Sequence, residues 1–374
     1  MRLYKKELVD ALQEQQKAAD HGGIKLIEKV NPEEPGPGLI DPYELAIITK
    51  HWVGKEEGPG AGNSSATESP ELALQTMRDN MGFPNRNLNT VEIHTRYEQL
   101  NFEGNEVGLW RYYPRKSMRQ AGKPCLIFLH GGGFIGGSIY TLEHPCRLIA
   151  ELADAVVFNI DYSLAPEKKF PNGFNDCFHA VKHIYDHAEE YGIDRSKIAV
   201  GGDSAGGNLT AAVAVKDRDL GLNMVALQVL IYPLVTFINE GVEGLKWDIK
   251  AFEIAEEQRS IIEPMLGLGR PSDEGKEDVP LGGLYFSDMK DAGSTYASPL
   301  LAEHRNLPGA LCVGAEFDGL RIQTEFYGKK LSEAGVPVKT IRYKGCTHAF
   351  LDRLGFVPQA EDLCIEIASA LKKL

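Results

Sequence analysis

The sequence predicts an α/β protein with a mostly parallel sheet wrapped by helices, and three observations carry the prediction. Apolar runs such as Cys125-Leu126-Ile127-Phe128-Leu129 are continuous rather than alternating, as in strands buried on both faces. Stretches long enough for helices, at 141–154 and 171–190, separate such runs. Strand and helix then alternate from residue 125 to 232 and again from 310 to 374, the rhythm of parallel βαβ units.

Taken in order, residues 1–20 read as a helix, with Leu3, Leu8, Val9 and Leu12 giving a partial apolar stripe. The stretch from Gly22 to about Arg86 is irregular. Asn31-Pro32-Glu33-Glu34-Pro35-Gly36-Pro37-Gly38 suits neither helix nor strand, and Gly58-Pro59-Gly60-Ala61-Gly62-Asn63-Ser64-Ser65 reads as a loop. Short helices are expected at 41–51 and 71–80. A leader so broken cannot form a core alone and is expected to lie across another domain. Residues 91–100 and 107–114 alternate roughly and suit an antiparallel pair. Next come the strand 125–129, a helix at 141–154, a buried strand at 155–160, a helix at 171–190 and a strand at 197–200. A helix of small residues follows from 208, then a strand at 224–232 ending before Pro233. The rhythm breaks at 236–295, an excursion from the sheet with two short helical patches and the polar run 270–280. It resumes with a strand at 310–313, a helix at 321–334, a strand at 338–343 and a closing helix at 359–374.

Composition excludes several partners. At 374 residues with 43% apolar content, the chain can bury a sizeable core. A net charge of −13 disfavours nucleic acid, which calls for a basic patch, and stable attachment to an anionic membrane surface. Residues 1–20 are charged throughout and unlike a signal peptide, and no apolar run has the length to span a bilayer. The six cysteines show no C-x-x-C spacing, so buried free thiols in a reducing, cytoplasmic setting are expected.

The chemistry gathers at two glycine-rich strand ends. Gly201-Gly202-Asp203-Ser204-Ala205-Gly206-Gly207 lies between a strand and a helix, with Gly202 and Gly206 two residues either side of the serine. That pattern fits a nucleophile elbow, whose tight turn lifts the hydroxyl above the sheet edge. The helix start behind it offers free N–H groups and a positive dipole end. Alone, the motif equally fits an ordinary βα turn. The second cluster, His130-Gly131-Gly132-Gly133-Phe134, ends the strand 125–129. Three consecutive glycines are costly in backbone entropy, which a loop bringing main-chain N–H groups against a ligand justifies. A phosphate-binding Walker loop would end in Gly-Lys-Ser/Thr, and this one does not. The two motifs together assign the N–H groups of Gly131, Gly132 and Ala205 to an oxyanion.

A serine nucleophile on such an elbow is followed in the chain by an acid and then a histidine. Of the two histidines after Ser204, His304 lies in the polar turn Glu303-His304-Arg305-Asn306 and is expected to be solvated. His348, directly after a strand, is the expected base. Asp318, in Ala315-Glu316-Phe317-Asp318-Gly319-Leu320, is the expected acid. Glu316 is the runner-up, and Asp352 lies too close to His348 along the chain. His179, His183 and His187 recur at helical spacing that can hold zinc, but no carboxylate or cysteine motif joins them. An exposed stripe on a covering helix is preferred, and neither metal nor cofactor is expected.

These residues resemble the hormone-sensitive-lipase group of α/β-hydrolases, the bacterial family IV esterases. The resemblance rests on His130–Phe134, on Asp161-Tyr162-Ser163-Leu164-Ala165-Pro166-Glu167 and on Gly202–Gly207. It extends to Tyr232-Pro233-Leu234, Ser298-Pro299-Leu300, the 315–320 stretch and Thr347-His348-Ala349-Phe350, and covers about residues 90–374. It implies an α/β-hydrolase fold and a serine carboxylesterase with Ser204, Asp318 and His348 as its triad. It also implies a helical cap built from the leader, 1–90, and the insertion, 236–295, over a catalytic core of 91–235 and 296–374. The chain departs from the pattern at Ser163, where the family usually has Arg, and at Arg321-Ile322-Gln323, where an acidic pair is common. The expected partner is a small ester, preferentially with a short acyl chain. A homo-oligomer is left open. Rival readings are a ligand receptor on a hydrolase scaffold, which typically lacks the histidine, and an amidase or peptidase using the same triad.

Overall fold

The computed structural model describes residues 1–33, 35–51, 69–117, 120–238, 242–269 and 282–374. The loop expected at 58–65 and the polar run 270–280 lie outside them. Among the described residues the strands are β1 (Gln16–His21), β2 (Ile24–Lys29), β3 (Ile93–Phe102), β4 (Asn105–Pro114), β5 (Lys123–Leu129), β6 (Val156–Asp161), β7 (Ile193–Asp203), β8 (Leu227–Ile231), β9 (Gly309–Phe317) and β10 (Val338–Thr347). The helices are α1 (Lys6–Glu14), α2 (Pro42–His51), α3 (Pro70–Asp79), α4 (Glu143–Ala153), α5 (Asn172–Asp186), α6 (Ala205–Asp219), α7 (Arg259–Met265), α8 (Gly282–Tyr285), α9 (Arg321–Glu333) and α10 (Pro358–Leu371).

The strands form one sheet in the order β1-β2-β10-β9-β8-β7-β5-β6-β4-β3. From β2 to β6 every pairing is parallel, while β1 with β2, β4 with β6 and β3 with β4 are antiparallel. The continuous apolar run in β5 has the predicted cause. Leu126 and Phe128 face a layer that includes α4 and α10, whereas Cys125, Ile127 and Leu129 face one that includes α5 and α6. All six cysteines are buried and free. No helix of the described residues is long and apolar enough to cross a membrane.

The leader departs most from expectation. Residues 1–20 are not one helix: α1 ends at Glu14 and the chain returns as the hairpin β1–β2, which extends the sheet beyond β10. Its turn is Gly22-Gly23, with φ of 64° and 85°, and the Gly23 N–H donates to Asp20 Oδ1. Both glycines occupy the left-handed region that a two-residue hairpin turn requires. Leu8 and Val9 pack with Ile365 of α10, and Leu3 is exposed, so α1 does not lie over the strand ends. Ile40 and Ile48 do meet the excursion there, packing with Phe252, Ile262, Leu266 and Phe317.

The hairpin is attached through charge. Lys29, fully buried, lies 2.7 Å from Asp362 and 2.6 Å from Glu366, and the Tyr343 hydroxyl also donates to Asp362 at 2.6 Å. Lys339 also pairs with Glu366 at 2.6 Å, so two cations balance two carboxylates, and removing Lys29 leaves the buried Asp362 without a counter-charge in a low dielectric. Lys29→Met is therefore expected to cost about 3–5 kcal/mol, read as a lower urea midpoint. A loss within error of zero would show that the cluster is not what holds the hairpin.

Candidate active site

Four adjacent or nearly adjacent strands bring the predicted residues to one sheet edge. β7 runs into Ser204, β5 into the triple glycine, β9 into Asp318 and β10 into His348, all at carboxyl ends. This is where ligands bind in sheets of this kind. Ser204 has φ 52° and ψ −114°, a conformation rare for a residue with a side chain, and α6 begins at the next residue. A Cβ on Gly202 or Gly206 would run into the carbonyl oxygen of Leu129, so the elbow fits the end of β5 only without side chains there.

His348 Nε2 lies 3.0 Å from Ser204 Oγ, and its Nδ1 lies 2.7 Å from Asp318 Oδ2. With Nδ1 donating to the carboxylate, Nε2 is left to accept the serine proton. The other Asp318 oxygen accepts the Leu320 N–H at 2.9 Å, which fixes the carboxylate in the turn after β9. Glu316 is turned elsewhere: it accepts from Lys344 and from the Gly345 N–H. Burial opposes the His348 imidazolium, but Asp318, by charge and hydrogen bond, followed by the charges of Asp203 and Asp352, outweighs it and holds the pKa above its ordinary value. Burial pushes the Asp203 carboxyl up to about 6 against the Gly131 N–H and His348, and drives Asp352, with Asp203 as its neighbour, well above the carboxylate range.

The triple glycine corrects one expectation. The Gly131 N–H donates to Asp203 Oδ1 at 2.7 Å and is spent. The residue is also wedged against Asp203, with no room for a Cβ. The Gly132, Gly133 and Ala205 N–H groups have no protein acceptor among the described residues, and Gly132 and Gly133 take φ of 119° and 62°. Gly133, not Gly131, accompanies Gly132 and Ala205 as a free donor. Sequence reasoning missed Gly133 and Asp203 because three identical residues carry no register.

Phe134 stacks on Tyr285 at 4.1 Å between ring centres and lies 5.6 Å from Phe237, so the excursion rests on the glycine loop through aromatic faces. Two histidine expectations change. His304 is half-buried against Tyr327 rather than solvated. The 179, 183, 187 stripe is half-buried rather than exposed, with His183 stacked on His187 and hydrogen-bonded to Tyr191. Among the described residues no His, Cys, Asp or Glu side chains group as a metal site.

A sequence profile of the alpha/beta hydrolase fold matches residues 126–352. An arylesterase of Saccharolobus solfataricus is 34% identical over 281 residues, 75% of this chain and 83% of the relative. The carboxylesterase NlhH of Mycobacterium tuberculosis is 32% identical over 250 residues, 67% of this chain and 73% of the relative. Among solved structures, the thermostable carboxylesterase EstE1 from a metagenomic library superposes with a TM-score of 0.67 at 33% identity, covering 82% of this chain and 97% of that one. An arylesterase structure gives a TM-score of 0.72 at 30% identity, covering 89% and 99%.

The carboxylate assignment is checked by following the His348 ring in an NMR titration. Its midpoint is expected above the ordinary value of about 6.5, to fall in Asp318→Asn, and to move little in Glu316→Gln. A larger drop in the Glu316 variant would reverse the choice of acid.

Proposed function

The chain belongs to the alpha/beta hydrolase family and is a serine hydrolase of carboxylic esters, and we propose that Ser204, His348 and Asp318 carry out its chemistry. The observation behind the reading is the pair of hydrogen bonds joining the three side chains, 3.0 Å and 2.7 Å long, at the mouth of the sheet. His348 Nε2 takes the Ser204 proton as Oγ attacks the ester carbonyl, and Asp318 holds the imidazole in the tautomer that allows it. The oxyanion is received by the N–H groups of Gly132, Gly133 and Ala205, donors of a kind worth about 10²–10³ each in rate. The tetrahedral intermediate collapses as His348 passes its proton to the departing alcohol. Water, with His348 again as base, then releases the acid and restores the serine. No metal or organic cofactor enters.

The insertion 236–295 and the leader around Ile40 and α2 are the proposed cap, over a catalytic core of 91–235 and 296–374 that α1 and the hairpin β1–β2 extend. Phe252, Ile262 and Leu266 of the insertion join Ile40 and Ile48 of the leader against Phe317, beside Asp318. Such a lid, with the aromatic group around Phe134, favours short acyl chains. The buried thiols fit a cytoplasmic enzyme.

Ser204→Ala is expected to abolish turnover of p-nitrophenyl butyrate while circular dichroism shows an intact fold. In the unmutated enzyme, kcat/KM should fall steadily from acetate and butyrate esters to laurate. Near-native turnover by the alanine variant would remove Ser204 as nucleophile, and a preference for laurate would remove the narrow lid.

The pH dependence follows from the raised His348 pKa. A raised value keeps the base protonated, hence inactive, to higher pH, so kcat/KM falls as pH drops through it. The acid limb should have its midpoint above about 6.5. A rate flat across that region, with chemistry shown to limit turnover, would rule out a histidine base.

A further inference from the structure

The glycine loop is held on its outer side by the leader. Arg78, in the last turn of α3, donates from Nε to the Ile135 carbonyl at 2.6 Å and from Nη2 to the Ala165 carbonyl at 3.0 Å. Its two terminal nitrogens also pair with the Glu167 carboxylate at 2.8 and 2.7 Å. The arginine stem and Met81 fill the space where a side chain on Gly136 would stand. Ala165 in turn donates its N–H to the Phe134 carbonyl at 2.9 Å, so the two carbonyls after the triple glycine are both tied.

The hydrogen bonds continue inward through two peptide planes. In a trans peptide the C=O and the following N–H point in opposite directions. The Ile135 carbonyl faces Arg78, and across the same plane the Gly136 N–H donates to the Gly132 carbonyl at 3.0 Å. The Ile135 N–H reinforces that carbonyl at 3.2 Å. Across the Gly132 plane, the group pointing the other way is the free Gly133 N–H. A cation thus sits at one end of a hydrogen-bonded chain whose other end is a donor assigned to the oxyanion. Each bond polarises the next in such a chain.

We propose that Arg78 is a positioning residue for the oxyanion hole, fixing and polarising the Gly133 N–H through the Ile135 and Gly132 carbonyls. The proposal rests on the reading of Gly132, Gly133 and Ala205 as that hole. Its effect belongs to the transition state, because the oxyanion exists only there, so the loss appears in kcat rather than KM. Fold stability depends little on the ion pair itself, since Glu167 is 57% exposed on its side chain.

The test compares Arg78→Met, which keeps the apolar stem against Gly136, with Arg78→Lys, which keeps the charge. Each is assayed for kcat and KM on p-nitrophenyl butyrate, for inhibition by an alkyl trifluoromethyl ketone and for thermal midpoint. The ketone's hemiketal oxyanion occupies the same hole. Arg78→Met is expected to lower kcat by about 10- to 100-fold with KM little changed, to weaken the ketone in proportion, and to leave the midpoint nearly unmoved. Arg78→Lys should recover part of both losses. The proposal fails if kcat is unchanged, if KM alone rises, or if kcat falls while the ketone binds as before. Should the methionine variant not fold, the same comparison on the lysine variant decides. A wild-type enzyme indifferent to the ketone, or an active Ser204→Ala variant, would instead overturn the reading of the site itself.

Discussion

The reversal of the chain at Ser204 is the constraint on which the rest of the site depends. A residue held at φ 52°, ψ −114° costs on the order of 1–3 kcal/mol and persists only where its surroundings leave no alternative. Here β7 enters from the middle of the sheet and α6 leaves with most of its residues buried, so neither can swing away. Gly202 and Gly206 let the turn close against the Leu129 carbonyl at the end of β5. One tight contact therefore joins the nucleophile to the strand that carries the glycine loop. It also turns Asp203 toward the Gly131 N–H and leaves the Ala205 N–H at the open end of α6. The proposed nucleophile, the free donors and the loop support share one piece of backbone geometry.

The histidine side is supported from the leader. Without the hairpin, β10 would be an edge strand, and its last residue, Thr347, immediately precedes His348. The pairing of β2 with β10 and the buried Lys29 cluster make the strand behind the base an interior one. Past the strand, Glu44 of α2 takes an ion pair from Arg353, which also donates to Thr347 Oγ1 at 2.8 Å and to the His348 carbonyl at 3.5 Å. The leader thus reaches the base through α2 and the glycine loop through α3.

What the sequence made legible follows from how local each signal is. The elbow, read together with the triple glycine after β5, the continuous strands and the histidine after β10 are each written in contiguous residues. Asp318 could be favoured over Glu316, yet what separates them in space is the bond from Lys344 to Glu316, a contact between two strands. The register of the triple glycine was hidden for a similar reason, since only Asp203, 72 residues away, distinguishes the first glycine from the third. The β1–β2 hairpin is hard to read from sequence because Gln16–His21 is a polar, exposed edge strand without apolar alternation. Its one local signal is the glycine pair at 22 and 23, a hairpin turn that stands beside the more prominent apolar stripe of α1.

Arg321 and Gln323, just after Asp318, tie the insertion to the first turn of α9. Gln323 accepts the N–H groups of Val235 and Thr236, where the insertion leaves the core. Arg321 donates to the Ala251 carbonyl at 2.7 Å and lies over the Phe252 ring at 4.3 Å, inside the insertion. Between them and the acid, Gly319 has no room for a Cβ because the carbonyls of Leu266 and Leu268 press against it. The insertion is therefore fastened to the first turn of α9, and the same turn begins at the carboxylate that orients His348. The Asp318 carboxylate is itself bound to the Leu320 N–H in that turn. Arg321 and Gln323 thus seat the insertion on the loop that carries Asp318.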